Sequence, residues 1–277
     1  MHSSVTQTKI TRVRGGNQTE ETDFLAAEEP LEIRLLFGQA ENRKQQSISV
    51  TMRTPGQDYE LATGFLFTEG IIENFADIRS IKHCGGLNKN VVRVELYEHV
   101  AVNIAKLERN FYTTSSCGVC GKASIDAVRT VRRLQHTPSA TVNISSTLLL
   151  GLPGKLRQTQ SVFETTGGMH GCALFNTTGN LVLSREDAGR HNAVDKLIGA
   201  ALQQNLFPLD SYILLLSGRA SFELIQKAWM AGIQIIAAVG APSSLAAGMA
   251  IGANITLAGF LHEDGFNIYA HKERIII

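Results

Sequence analysis

From residue 172 onward, short apolar runs alternate with stretches of helical periodicity, and this rhythm narrows the fold more than any other feature of the chain. Cys172–Phe175 and Leu181–Leu183 flank a Thr-Thr-Gly-Asn turn and read as a hairpin. A helix over Asn192–Leu202 then precedes a strand at Tyr212–Leu216. The pairing recurs twice, with helix Ala220–Met230 before strand Ile233–Val239 and helix Ser243–Ala253 before strand Ile255–Phe260. Phe266–Tyr269 supplies a last strand. These strands are apolar almost without interruption, as strands are when both faces are covered. The expectation for residues 122–277 is therefore an α/β domain, a mixed sheet covered by helices. Ligands in such sheets collect at strand ends, which marks Ser217-Gly218-Arg219 and the turn from Phe260 onward.

The first part of the chain has another rhythm. Leu31–Leu35 and Ile48–Met52 alternate in polarity and read as strands joined by a polar loop around Asn42–Gln46. Asp58 is placed to cap a helix that buries Leu61, Phe65 and Leu66 and stops at Gly70. Val92, Val94 and Leu96 alternate with Arg93 and Glu95, and Val100–Val102 resumes that pattern. Residues 28–112 are thus expected to form a smaller α+β domain, preceded by a flexible lead-in over 1–27.

Between the two lies a loop, 113–121, with the sequence Thr-Thr-Ser-Ser-Cys-Gly-Val-Cys-Gly. Cys117 and Cys120 are two residues apart among glycines and small polar residues. A helix with Ile125, Val128, Val131 and Leu134 on one side is expected to follow. A thiol at the mouth of a helix meets unpaired N–H groups and the positive end of the dipole, and both favour thiolate. Lys122 adds a positive charge. The pair suits a nucleophile better than a structural bridge.

Composition narrows the setting. Four cysteines in 277 residues are no secreted disulfide framework. A net charge of +1 offers no general argument for nucleic acid or an anionic membrane as partner. The polar start lacks the apolar run of a signal peptide, and the longest apolar stretch, Leu245–Leu261, is interrupted by Asn254 and Thr256. A cytoplasmic protein is expected. There, Cys-x-x-Cys is a metal, redox or catalytic motif, and with His83-Cys84 and His170-x-Cys172 it could build a tetrahedral zinc site. A zinc-binding protein or zinc enzyme using Cys117 and Cys120 is the rival reading. Zinc-deaminase chemistry wants a His-x-Glu ahead of a Pro-Cys-x-x-Cys, and neither that motif nor a proline directly precedes Cys117 here, while thioredoxin-like work would want an apolar strand where Thr113–Ser116 stand.

Five segments decide between these readings: Ser116-Cys117-Gly118-Val119-Cys120-Gly121; Thr166-Gly167-Gly168-Met169-His170; Glu186-Asp187-Ala188-Gly189-Arg190-His191-Asn192-Ala193-Val194-Asp195-Lys196; Ser217-Gly218-Arg219-Ala220-Ser221; and Gly259-Phe260. In this order they resemble the formate dehydrogenase accessory protein family (FdhD/NarQ), from about residue 30 to 271. The resemblance implies a sulfurtransferase and a cytidine-deaminase-like larger domain. The implied activity takes sulfur from a cysteine desulfurase and passes it to the molybdenum cofactor, molybdopterin guanine dinucleotide, before that cofactor enters formate dehydrogenase. It further implies a persulfide on Cys117 with Cys120 as partner, and no permanently bound metal. Cofactor binding is implied at Phe260, Leu261, His262, Glu263, Asp264 and Gly265, and the assembly implied is a homodimer. Other roles stay open. Glu186 and Asp187 read as anchors of a helix start, while Arg190 and His191 read either with them or as phosphate holders. His170 is a turn histidine or faces a pocket, Arg219 holds phosphate or a surface ion pair, and Cys172 reads as a small buried residue.

Overall fold

The structure is a computed structural model and describes residues 4–84, 90–102 and 142–277. Cys117, Cys120, the loop around them, the helix expected after them and the boundary at 112 lie outside the described residues.

The predicted apolar runs assemble into a six-stranded sheet. Its strands are β8 (His170–Asn176), β9 (Leu181–Asp187), β10 (Tyr212–Leu216), β11 (Ile235–Ala238), β12 (Thr256–Gly259) and β13 (Asn267–Ala270). Their order is β13-β12-β11-β10-β8-β9. The β10, β11 and β12 strands run parallel, while β8, β9 and β13 are antiparallel to their neighbours. Side-chain alternation along β10 explains the unbroken apolar run. Leu214 and Leu216 join the core cluster of α5 (Arg190–Gln203) and α6 (Phe222–Met230). Ile213 and Leu215 join Leu149, Leu152 and Leu156 of α2 (Ser146–Leu150) and α3 (Leu152–Arg157) on the other face. The sheet is covered on both sides, as expected.

A second sheet has the order β4-β3-β6-β5, with β3 at Glu29–Phe37, β4 at Lys44–Arg53, β5 at Ile78–His83 and β6 at Val91–Leu96. Leu31, Ile33, Leu35 and Phe37 point inward from β3, two residues apart, and share one core with α5 and α6. The helix α1 (Asp58–Thr68) joins the two sheets by packing on α5. The helices meet backbone to backbone. A Cβ added at Gly64 would lie 1.8 Å from the carbonyl oxygen of Asp195, and one at Gly199 would lie 1.9 Å from that of Glu60. Beside this contact Asp195 accepts from Thr68 Oγ1 at 2.8 Å and from Lys227 Nζ at 2.8 Å, which ties α1, α5 and α6 together. Burial pushes the Asp195 carboxyl up, against the pull of Lys227 and Thr68.

Some expectations are corrected. The stretch read as a flexible lead-in, 1–27, contains a hairpin of β1 (Val5–Arg14) and β2 (Asn17–Ala26) in ten-residue register. Gly15 and Gly16, at φ 55° and 84°, make its two-residue turn; Thr, Val and Ile recur along β1, and Thr19, Thr22 and Phe24 stand on β2. Charged residues on both faces hid this pattern. Val100–Val102 forms no strand. Asp58 does not cap α1 from outside: Gln57 is the N-cap, and Asp58 is the first helical residue, held by Arg53 Nε at 2.8 Å. Finally, α2, α3, α4 (Ser161–Thr166) and the parallel pair β7 (Ile144–Ser145) with β14 (Ile275–Ile276) had no expectation.

Because neither Gly64 nor Gly199 leaves room for a methyl group, Gly64→Ala is expected to cost about 3 kcal/mol or more of folding stability. Chemical denaturation checks this; a loss under about 0.5 kcal/mol would mean that the helices are not in backbone contact.

Candidate functional site

Among the described residues, one edge of the six-stranded sheet gathers nearly all those singled out by sequence. The parallel strands β10, β11 and β12 end there, and so does β9. Antiparallel β8 begins there, with His170 opposite Asp187. The turns after the parallel strands are stitched together by their backbones. Gly218 O accepts from Gly240 N at 3.0 Å, and Gly240 O accepts from Phe260 N at 3.2 Å. A Cβ at Gly240 would sit 2.9 Å from Arg219 N, so glycine is what allows this close approach. The helices α5, α6 and α7 (Ser244–Gly252) begin along the same edge. Their free N–H groups and dipoles favour anions there.

Asp187 ends β9 wholly buried and accepts from Gly189 N at 2.8 Å, in the turn that opens α5. Glu186, its neighbour, accepts from Val162 N at 3.2 Å and Phe163 N at 3.0 Å in the first turn of α4. Both acids therefore anchor helix starts. Arg190 and His191 follow at the head of α5. The Nε of Arg190 is buried with no hydrogen-bond partner among the described residues. His191 Nε2 stands 3.4 Å from Ser221 Oγ and 3.8 Å from Glu223 Oε2. Burial works to raise the Glu223 carboxyl, but hydrogen bonds from His191, from its own backbone N–H and from Ser221 outweigh it and bring it down to about 2. Ser221 is the N-cap of α6 and Glu223 lies in its first turn, where the helix dipole favours an acid; that placement was the available signal for Glu223.

His170 lies against Gly218, where an added Cβ would come 3.3 Å from Nδ1. Burial lowers its pKa below the ordinary 6.5, and Arg190, His191 and Arg219 lower it further against the pull of Asp187. The ring is thus a neutral hydrogen-bonding group among fixed positive charges. Arg219 is exposed, and Cys172 is buried with its thiol pushed up by burial.

The segment 260–265 leaves β12 at this edge. Phe260 has φ 53°, a strained region for a bulky residue, and is 44% exposed. Leu261 is buried and donates to Ala238 O at 3.0 Å. His262, Glu263 and Asp264 face solvent, and His262 N donates to Gly265 O at 2.9 Å. The structure therefore places 260–265 beside the turn at Gly240, which itself lies against Gly218 and Arg219; it does not describe Cys117 or Cys120. Among the described residues no group of three His, Cys, Asp or Glu is arranged to hold a metal, and no helix is long and apolar enough to cross a membrane.

The profile of the FdhD/NarQ family matches residues 26–276. The chain belongs to the FdhD/NarQ family. It is 49% identical over 275 residues to the "Sulfur carrier protein FdhD" of Streptomyces coelicolor, covering 97% of this chain and 95% of that one. It is 41% identical to the protein of the same name from Sulfurisphaera tokodaii, covering 98% and 99%. A crystal structure of a candidate formate dehydrogenase accessory protein from Desulfotalea psychrophila superposes with a TM-score of 0.73 at 23% identity, over 99% of this chain and 100% of that one. The α/β architecture described above is thus shared with that chain along its whole length.

A ring kept neutral by its surroundings has a measurable signature. The His170 imidazole is expected to titrate below 6.5 in an NMR pH series, and a midpoint at or above 6.5 would contradict the described surroundings. Folding disfavours its charged form, so the unfolded chain binds that proton more tightly. The stability held by the neutral ring is present above 6.5 and is lost as pH falls through the lowered value.

Proposed function

We propose that this protein is a sulfur carrier that serves the maturation of formate dehydrogenase. In this reading Cys117 takes sulfur from a cysteine desulfurase, and the sulfur passes to molybdopterin guanine dinucleotide before that substrate enters the dehydrogenase. The observation that carries the reading is the 49% identity, over 97% of the chain, to a protein named as a sulfur carrier.

The chemistry suits the residues. The Cys117 thiolate attacks the outer sulfur of the donor's persulfide; a new S–S bond forms, and the donor cysteine leaves as thiolate. Such exchange is fastest when the attacking thiol has a pKa near ambient pH. Cys120 either relays the sulfur or attacks the inner sulfur of Cys117, closing a disulfide and releasing the outer one as sulfide. A guanine dinucleotide brings a diphosphate and an aromatic base. The sheet edge offers Arg190 and Arg219, the first turns of α6 and α7, and the exposed ring of Phe260 at the head of 260–265. Bidentate guanidinium and helix N-termini are the usual partners of a diphosphate. The acids Glu263 and Asp264 are exposed, and the positive groups for the phosphates come from the rest of the edge. A homodimer belongs to the same proposal.

After incubation with a cysteine desulfurase and free cysteine, mass spectrometry should find ~32 Da added to the peptide that spans 117–120, the mass of one sulfur. Cys117→Ala is expected to abolish that adduct. Loading that persists in this variant would overturn the assignment. One equivalent of zinc bound tightly by both cysteines would overturn it in favour of a metal site.

A further inference from the structure

Asp187 makes no contact that a ligand could use. Its side chain is 0% exposed, and its oxygens are taken up by the protein. Oδ1 accepts from Gly189 N at 2.8 Å and Asn192 Nδ2 at 3.2 Å. Oδ2 accepts from Lys196 Nζ at 2.7 Å and Thr54 N at 3.2 Å. A carboxylate has about four acceptor sites, so this one is saturated. Its donors come from three places: the turn 188–189, the first turns of α5, and the end of β4 in the other sheet. They bracket Arg190 and His191 on both sides.

The companions are equally committed. Lys196 is 1% exposed, and besides Asp187 it donates to Thr54 O at 2.8 Å. Asn192 donates to Met52 O at 2.7 Å and accepts from Thr51 Oγ1 at 3.1 Å. Ala188 N donates to Thr54 Oγ1 at 3.2 Å. Stability alone does not call for such a pair, because buried ion pairs are often replaced by apolar residues without loss. An apolar pair, however, could not hold the N–H of Gly189 and of Thr54 at the same time. The turn that carries Arg190 and His191 is thereby fixed to β4 of the second sheet.

We propose that Asp187 is the positioning residue of the cofactor edge: its buried carboxylate clamps the turn 188–191 so that Arg190 and His191 are presented to the diphosphate of the guanine dinucleotide. This rests on the sulfur-carrier reading, in which that edge holds the nucleotide. The Nε of Arg190, buried and without a hydrogen-bond partner among the described residues, agrees with it. A guanidinium held ready loses less freedom on binding than one on a loose turn.

The test uses the full chain and GDP, the nucleotide half of the cargo, as probe. Asp187→Asn is expected to weaken GDP binding about tenfold or more. Arg190→Ala should weaken it in the wild type yet cost far less in the Asp187→Asn background, because Arg190 is then no longer held. Asp187→Asn combined with Lys196→Met removes both buried charges; it should recover the melting temperature but not the affinity. Affinity that returns together with the melting temperature, or an Arg190→Ala effect equal in both backgrounds, would reduce Asp187 to a structural residue and overturn the proposal. GDP binding indifferent to Arg190→Ala in the wild type would instead remove the nucleotide from this edge, and the docking reading would fall first.

Discussion

The contact between α1 and α5 is the constraint on which the rest depends. Two helices can touch backbone to backbone only where both lack side chains, and Gly64 and Gly199 meet that condition at the same crossing. The closeness does more than save space. It brings the first turn of α5, with Arg190 and His191, within reach of the end of β4 in the other sheet, where Thr54 and Met52 stand. A wider crossing would leave Asp187, Asn192 and Lys196 without their partners in that sheet. Their charges and amides would then be buried and unsatisfied, which costs several times what each hydrogen bond contributes.

That crossing also explains where the site lies. Strand ends at the carboxyl side of parallel strands are a general place for ligands, since helix starts and turns converge there. Here the convergence is reinforced from outside the sheet. His170 and Asp187 sit opposite each other across β8 and β9, Gly218 and Gly240 let the neighbouring turns close up, and β4 locks the head of α5. The edge is rigid where it must present charge. It is strained at Phe260, where the chain leaves β12 towards 265.

How much of this was legible follows from the same physics. Strands covered on both faces must be apolar at every position, so β8, β10, β11 and β12 were readable as runs. The hairpin of β1 and β2 is polar on both faces and was misread, although the Gly15-Gly16 turn announced it. The short helices α2 and α3 carry Leu149, Leu152 and Leu156 in pieces broken by Gly151 and Pro153, too brief to display a period. Arg190, His191 and Arg219 could be marked by their place after strands. The work of Asp187 could not, since Thr54 lies 133 positions earlier and only the fold brings them together.

The charges at the edge divide into two kinds, and the division bears on what the site can hold. Arg190 and Arg219 bring guanidinium groups, which are fixed positive charges. His170 between them is pushed the other way, by burial first and by the same arginines second. The edge therefore sets fixed positive charge beside a ring held towards its neutral form, which can both accept and donate a hydrogen bond. A bare anion site would gain from a third cation there. A site that must hold a diphosphate firmly and also tolerate a polar, uncharged group beside it would not. Under the proposed function, a ring held towards its neutral form beside two arginines suits a ligand that is part anion and part neutral.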